Sequence, residues 1–92
     1  MVSICIVGGG SSGWMTAAAF AKVFPHYKIK LIEDPSTKPL SVGESTLGHF
    51  NRYLECLEIE DADWMKECNA TYKLSIQFSN WKNGDSTDVF QY

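Results

Sequence analysis

Between residues 3 and 20 the chain reads SICIVGGGSSGWMTAAAF, a β-branched apolar run that breaks into glycines and resumes as good helix formers. Gly8, Gly10 and Gly13 form G-x-G-x-x-G at that break. In this pattern the first glycine permits a tight turn, the second lets backbone approach a pyrophosphate, and the third lets helix and strand pack closely. A phosphate would then rest on the helix N-terminus, where N–H groups without intrahelical partners and the helix dipole favour negative charge.

The flanking segments supply the context that this motif needs. Val2 to Val7 lacks alternation, as expected of a parallel strand covered on both faces. Gly13 to Phe24 reads as a helix of about three turns, closed by Pro25 because the residue before a proline is pushed out of helical geometry. Lys28 to Glu33, KIKLIE, reads as a second strand, which completes a βαβ unit with an expected right-handed crossover. Glu33 falls at its end, twenty residues after Gly13, where a carboxylate accepts hydrogen bonds from adenosine ribose hydroxyls. The same carboxylate would repel a 2′-phosphate, which disfavours NADP. The βαβ pattern leaves NAD and FAD open. A plainer reading makes the glycines a simple strand-to-helix turn and Glu33 a surface carboxylate.

Asp34 to Thr46, DPSTKPLSVGEST, is a long loop, and loops of this length in compact domains are usually functional or mobile. Leu47, Phe50, Leu54 and Leu57 follow at the spacing of an amphipathic helix, with Ser45 or Thr46 as its cap. A shorter helical piece is expected over Asp61 to Cys68, capped by Asp61. Thr71 to Phe78 alternates, with Tyr72, Leu74, Ile76 and Phe78 on one side and Lys73, Ser75 and Gln77 on the other, which predicts a half-buried strand. Asn83 and Gly84 offer a turn beyond it.

Ninety-two residues suffice for one small domain or a piece of a larger one. A hydrophobic content of 45% with only 21% charged residues is that of a globular core and not of a disordered chain. Eight basic against eleven acidic residues, with no basic cluster, disfavour nucleic acid as a partner. Cys5, Cys56 and Cys68 are odd in number and widely spaced, which suggests neither a disulfide framework nor a metal site and fits a reducing cytoplasm. The glycines cut the first apolar run short, so neither a signal peptide nor a membrane span is expected. His26 and His49 have no partner motif, and Trp14, Trp64 and Trp81 read as core or lid residues. Nothing places a base beside Cys68 to make it a nucleophile.

Three stretches in order, GGGSSGWMTAAAF, VGEST and YKLSIQFSNW, resemble the opening of the flavin-dependent tryptophan halogenases. The resemblance covers nearly the whole chain, and it selects FAD. It implies an α/β fold: a Rossmann-like FAD-binding βαβ unit followed by loop, helix and β-strand, with residues 1–92 an N-terminal and incomplete portion of a larger FAD-binding domain. By the same resemblance Gly8, Gly9, Gly10, Ser12 and Gly13 line the FAD pyrophosphate and Glu33 meets the ribose. Asp34 and the stretch from Thr37 to Leu40 flank the adenosine side. Val42, Gly43, Glu44, Ser45 and Thr46 run along the flavin towards the halide site, and Lys73 is the catalytic lysine.

The implied chemistry uses FADH2 supplied by a flavin reductase, with O2 and halide, to make hypohalous acid. The lysine then presents that oxidant to an electron-rich ring such as indole. An ammonium suits the task as a compact cationic donor. On alternation alone, Lys73 reads instead as a solvent-facing lysine, since lysine is rarely buried.

Family members are several times longer, and their substrate pocket and the glutamate paired with the lysine lie beyond the region matched. The 92 residues alone are therefore expected not to halogenate. An exposed sheet edge also makes a homo-oligomer a possible state. Two other functions compete: another FAD-dependent monooxygenase sharing the dinucleotide fold, or a non-catalytic flavin-binding or self-assembling module.

Overall fold

The computed structural model describes residues 1–43, 45–82, 84 and 89–91. Its elements are β1 (Ser3–Val7), α1 (Ser11–Val23), β2 (Lys28–Ile32), α2 (His49–Cys56), α3 (Asp61–Trp64), β3 (Gln77–Ser79) and β4 (Val89–Gln91). They fall into two compact units, Met1–Glu60 and Asp61–Tyr92.

In the first unit β1 and β2 pair in parallel, with Ile4 opposite Ile29 and Ile6 opposite Leu31. These four residues are half-buried on one face. α1 packs against that face, since the Ile6 Cγ2 lies 3.8 Å from the position a Cβ on Gly13 would take. The strand, helix, strand order matches the expected βαβ unit, and parallel pairing requires such a crossover. The opposite face carries Ser3, Cys5, Val7, Lys28, Lys30 and Ile32, all exposed, with Val7 at 82%. The expectation of a strand covered on both faces is thus corrected: among the described residues α1 covers one face only. The apolar run in β1 records a strand suited to a two-sided burial that these residues do not supply.

α1 starts at Ser11, two residues before the expected Gly13, and stops one residue short of Phe24. Phe24 closes it by donating its N–H to the Phe20 carbonyl at 2.8 Å, and its ring stacks on Tyr27 at 4.7 Å. Pro25 follows at once, as anticipated.

α2 brings Leu54 to 6% exposure, which makes it the buried apolar residue of the chain among those described. The Tyr53 hydroxyl donates to the Met15 carbonyl at 2.7 Å, tying α2 to α1. The expected cap at Ser45 or Thr46 is not found. The helix is preceded by Gly48, already in right-handed helical geometry, and no side-chain cap bond is made there. Its far end is a Schellman closure, in which Ile59 N–H donates to the Leu54 carbonyl and Glu58 N–H to that of Glu55, both at 3.0 Å. Glu58 takes the left-handed position at φ 58° and pairs its carboxylate with Lys22 in the last turn of α1.

The second unit opens with α3, which continues as hydrogen-bonded turns: Met65 N–H meets the Asp61 carbonyl and Cys68 N–H that of Trp64, each at 2.9 Å. Asn69, at φ 53°, ends this stretch by the same left-handed device. β3 and β4 pair antiparallel with Phe78 opposite Phe90, and the two rings stack at 4.9 Å.

The predicted strand over Thr71 to Phe78 is corrected as well. Only Gln77–Ser79 is strand, and Leu74 is fully exposed. A strand requires a ladder partner, and β4, with three residues, pairs no further back than Gln77. The Asn83–Gly84 turn falls partly outside the described residues. Among those described, no helix is long and apolar enough to cross a membrane.

Candidate functional site

The glycine loop is shaped by contacts that only glycine tolerates. Gly8 sits at φ 125°, a conformation side chains rarely adopt, and its N–H donates to the Ile32 carbonyl at 2.8 Å. That bond carries the chain from the end of β1 across the end of β2. A Cβ on Gly13 would overlap the Gly8 carbonyl oxygen and lie 2.9 Å from its carbonyl carbon. The third glycine of the motif therefore lets α1 approach β1, as its spacing implied.

Gly9, which the motif leaves free, is constrained by Glu33. A Cβ there would overlap both the Cβ and the Oε2 of Glu33. Gly10 is the contrast: its backbone is ordinary extended chain, at φ −80° and ψ −174°, and a Cβ would meet nothing within 4 Å. Its α-carbon faces open space at the head of α1. The first turn of α1 has no acidic residue and no side-chain cap. By helix geometry the N–H groups of Ser11, Ser12 and Gly13 have no intrahelical acceptor. Such an end is suited to an anion.

This loop forms one wall of a cleft of about 1290 Å³. Of the expected cofactor residues, Gly8, Gly9, Gly10, Glu33, Asp34, Thr37, Leu40, Val42 and Gly43 line it. Ser12 and Gly13 do not. Ser12 accepts the Thr16 hydroxyl on its carbonyl at 2.6 Å, and Gly13 serves packing. Ser45 and Thr46 do not line it either, and Glu44 lies outside the described residues.

Sequence reasoning missed Trp14 as a cleft residue. Trp14 is 54% exposed and lines the cleft with Ser11, and the motif's own geometry, which places the fourth helical residue near the loop, was the available signal. Ser41 was missed too; at φ 58° it turns the loop into Val42 and Gly43.

The side of the cleft beyond β2 is organised by Asp34. Its Oδ1 accepts both the Ser36 N–H at 2.9 Å and the Ser36 hydroxyl at 2.6 Å, and its carbonyl accepts Thr37 N–H at 3.1 Å. The two Ser36 bonds, the hydroxyl first, hold the Asp34 carboxyl below its ordinary value. Lys38 adds a cation to a lining that otherwise carries Glu33 and Asp34. The donor set thus fits a dinucleotide, with an uncapped helix end suited to an anion, a carboxylate at the second strand and an ordered turn beyond it. Among the described residues no group of three or more His, Cys, Asp or Glu is gathered to hold a metal.

Lys73 belongs to the second unit and lies in a stretch without strand pairing, exposed. Beside it, the Tyr72 hydroxyl donates to Asp61 Oδ2 at 2.6 Å. That bond to a carboxylate raises the Tyr72 phenol above its ordinary value.

Comparison with known proteins places the chain firmly. The sequence profile of the family described as tryptophan halogenase matches residues 3–92. The tryptophan 6-halogenase ThaL of Streptomyces albogriseolus is 40% identical over 82 residues, covering 87% of this chain and 15% of that protein. The tryptophan 7-halogenase RebH of Lentzea aerocolonigenes is 40% identical over 87 residues, covering 91% and 16%. The crystal structure of the tryptophan 6-halogenase SttH from Streptomyces toxytricini superposes with a TM-score of 0.85 at 35% identity, over 99% of this chain and 18% of that one. Tar14, a tryptophan C-6 flavin-dependent halogenase from taromycin biosynthesis, superposes at 0.84 with 37% identity, again over 99% and 18%. The chain therefore spans about 15% of the length of the curated relatives it matches.

Proposed function

The chain belongs to the tryptophan halogenase family, and from that membership we propose that it forms the FAD-facing N-terminal portion of an enzyme that halogenates an indole-type aromatic ring. The observation that carries this reading is the open space at Gly10, at the head of an uncapped helix whose first turn holds no acid. Backbone N–H groups of that turn bind the pyrophosphate, and the Glu33 carboxylate accepts the ribose hydroxyls. Asp34 and the stretch from Thr37 to Leu40 flank the adenosine, and Val42 to Thr46 run along the flavin.

When bound, reduced FAD delivered by a flavin reductase supplies, with O2, the oxidising power that converts halide to hypohalous acid. The Lys73 amine then acts on that acid. It either donates a hydrogen bond to the hypohalous acid or forms a haloamine with release of water, and the halogen passes to the ring carbon as the ring proton leaves. Either route fits a compact nitrogen centre at the end of a flexible stem. The exposed face of the β1–β2 sheet and the short share of the relatives' length both accord with a portion of a larger domain. The 92 residues by themselves are accordingly expected to yield no halogenated indole when given FAD, a reductase, halide and O2.

The test is Lys73→Ala in a complete halogenase carrying this segment. Product formation should fall below detection while FAD affinity stays within about twofold, because Lys73 acts after the cofactor is bound. Undiminished product would sink the lysine's role. Halide-independent oxygen insertion into the ring would instead identify a monooxygenase.

A further inference from the structure

We infer that Asp61 is a positioning residue for Lys73, acting through the Tyr72 hydroxyl. The inference rests on the catalytic reading of Lys73 given above.

The stretch from Ala70 to Ile76 has no ladder to fix its path, because β3 begins only at Gln77. Burial holds it only at its ends, where Ala70 and Ile76 are half-buried, while Tyr72 is 78% exposed and Leu74 fully so; near the far end the Ser75 hydroxyl donates to Gln91 Oε1 at 3.5 Å. At its near end the chain is pinned where Ala70 N–H donates to the Met65 carbonyl at 2.8 Å. Two residues further on, the Tyr72 hydroxyl reaches back across eleven positions to Asp61 Oδ2 at 2.6 Å. The other carboxylate oxygen, Oδ1, receives the Trp64 indole N–H at 3.3 Å, so both oxygens of Asp61 are engaged from within the same unit.

Asp61 is the first residue of α3, and its carboxylate is engaged by two aromatic side chains. A phenol donating to a carboxylate makes a short, charge-assisted bond, and a tyrosine ring has few rotatable bonds through which to relax. Fixing the Tyr72 ring therefore fixes the α-carbon next to that of Lys73, about 3.8 Å away along the chain. For a group that must hold hypohalous acid and aim it at one ring carbon, an error of about 1 Å costs of order a hundredfold in rate. A tether one residue away is placed to prevent such an error.

The experiment compares Tyr72→Phe, Asp61→Asn, Asp61→Ala and Lys73→Ala in a complete halogenase carrying this segment. Tyr72→Phe removes one oxygen at an exposed site, so folding is spared. It should lower kcat by about tenfold while KM for the aromatic substrate and the FAD affinity stay unchanged. Hypohalous acid that is made but not delivered should then appear on an added thioether scavenger. Asp61→Asn, which keeps an acceptor oxygen, should retain more activity than Asp61→Ala. A second readout needs no flavin: in the 92-residue chain, NMR relaxation at the Lys73 amide should show new mobility in Tyr72→Phe and none in the first unit.

If Tyr72→Phe matches wild type in kcat and in mobility while Lys73→Ala is inactive, the tether is overturned and the proposed function stands. If Asp61→Ala fails but Tyr72→Phe and Asp61→Asn are both normal, Asp61 serves folding alone and the inference is overturned. If Lys73→Ala is fully active, both readings fall together.

Discussion

Glu33 lies so close over Gly9 that no side chain fits between them: a Cβ on Gly9 would overlap the Cβ and Oε2 of Glu33 and come within 2.9 Å of its Cδ. The residue that the phosphate motif leaves unspecified is thus set by the carboxylate at the end of the second strand. Because the Glu33 Cβ is part of the clash, rotating the carboxylate away does not relieve it. Gly9→Ala is expected to weaken FAD binding by about tenfold to a hundredfold, the cost of losing charge-assisted hydrogen bonds. Adding Glu33→Ala should not restore it. Flavin fluorescence titration of the single and double variants checks both statements.

Gly10 and Gly13 should separate binding from stability. Gly10 has an ordinary extended backbone and open space around its α-carbon. Gly10→Ala is expected to change stability by less than about 1 kcal/mol, because the entropy lost from the unfolded chain is offset by the poorer fit of alanine at an N-cap, while impairing FAD binding. Gly13→Ala meets the Gly8 carbonyl, which is backbone and cannot swing aside. It should cost about 3 kcal/mol. Urea denaturation without FAD, alongside flavin titration, reads the two effects separately.

The Lys22–Glu58 pair joins the end of α1 to the turn after α2 and gives the fold an acid-sensitive contact. The Lys22 ammonium holds the Glu58 carboxyl below its ordinary value, chiefly by its hydrogen bond. A carboxyl depressed in the folded state stabilises above its unfolded value and loses that contribution as pH falls through the folded one. Lys22→Gln should bring the Glu58 titration, followed by NMR, back to the ordinary carboxylate range. Both groups are exposed, so added salt should shrink the difference.

Tyr53 is the alkaline counterpart. Burial pushes its phenol up from the usual value, and its hydroxyl donates to the Met15 carbonyl. A group whose value is raised on folding contributes fully below its unfolded value and loses the contribution as pH rises through the folded one. Thermal stability should therefore begin to fall once pH passes about 10. Tyr53→Phe should remove that component and cost about 1 kcal/mol at neutral pH. Thermal melts from pH 7 upward compare the two proteins.

Much of the first unit was legible because its signals are local. The β-branched run, the glycines, the alanine-rich stretch and Pro25 each act on their own neighbours, and β1, α1 and β2 fall where these dictate. The cleft-lining glycines and Glu33 follow from the same spacing. Alternation from Thr71 to Phe78 misled because it is a pattern a strand needs and not one that creates a partner. The partner, Val89–Gln91, has only three residues and no alternation long enough to announce it. The cap of α2 was misplaced for a related reason: Ser45 and Thr46 are good caps, but the helix begins after Gly48.

The amino-acid order by itself determined the βαβ unit, the glycine loop at its first turn and the carboxylate at the end of its second strand, because each depends on forces between residues a few positions apart. Only the tertiary structure decided that Glu33 fills the space over Gly9, that Glu58 meets Lys22, that Asp61 holds Tyr72, and that β3 begins only at Gln77. Those contacts join residues eleven to thirty-six positions apart. They form only when the chain has closed the intervening loops, and the loss of chain entropy on closure must be offset by packing that no local pattern records.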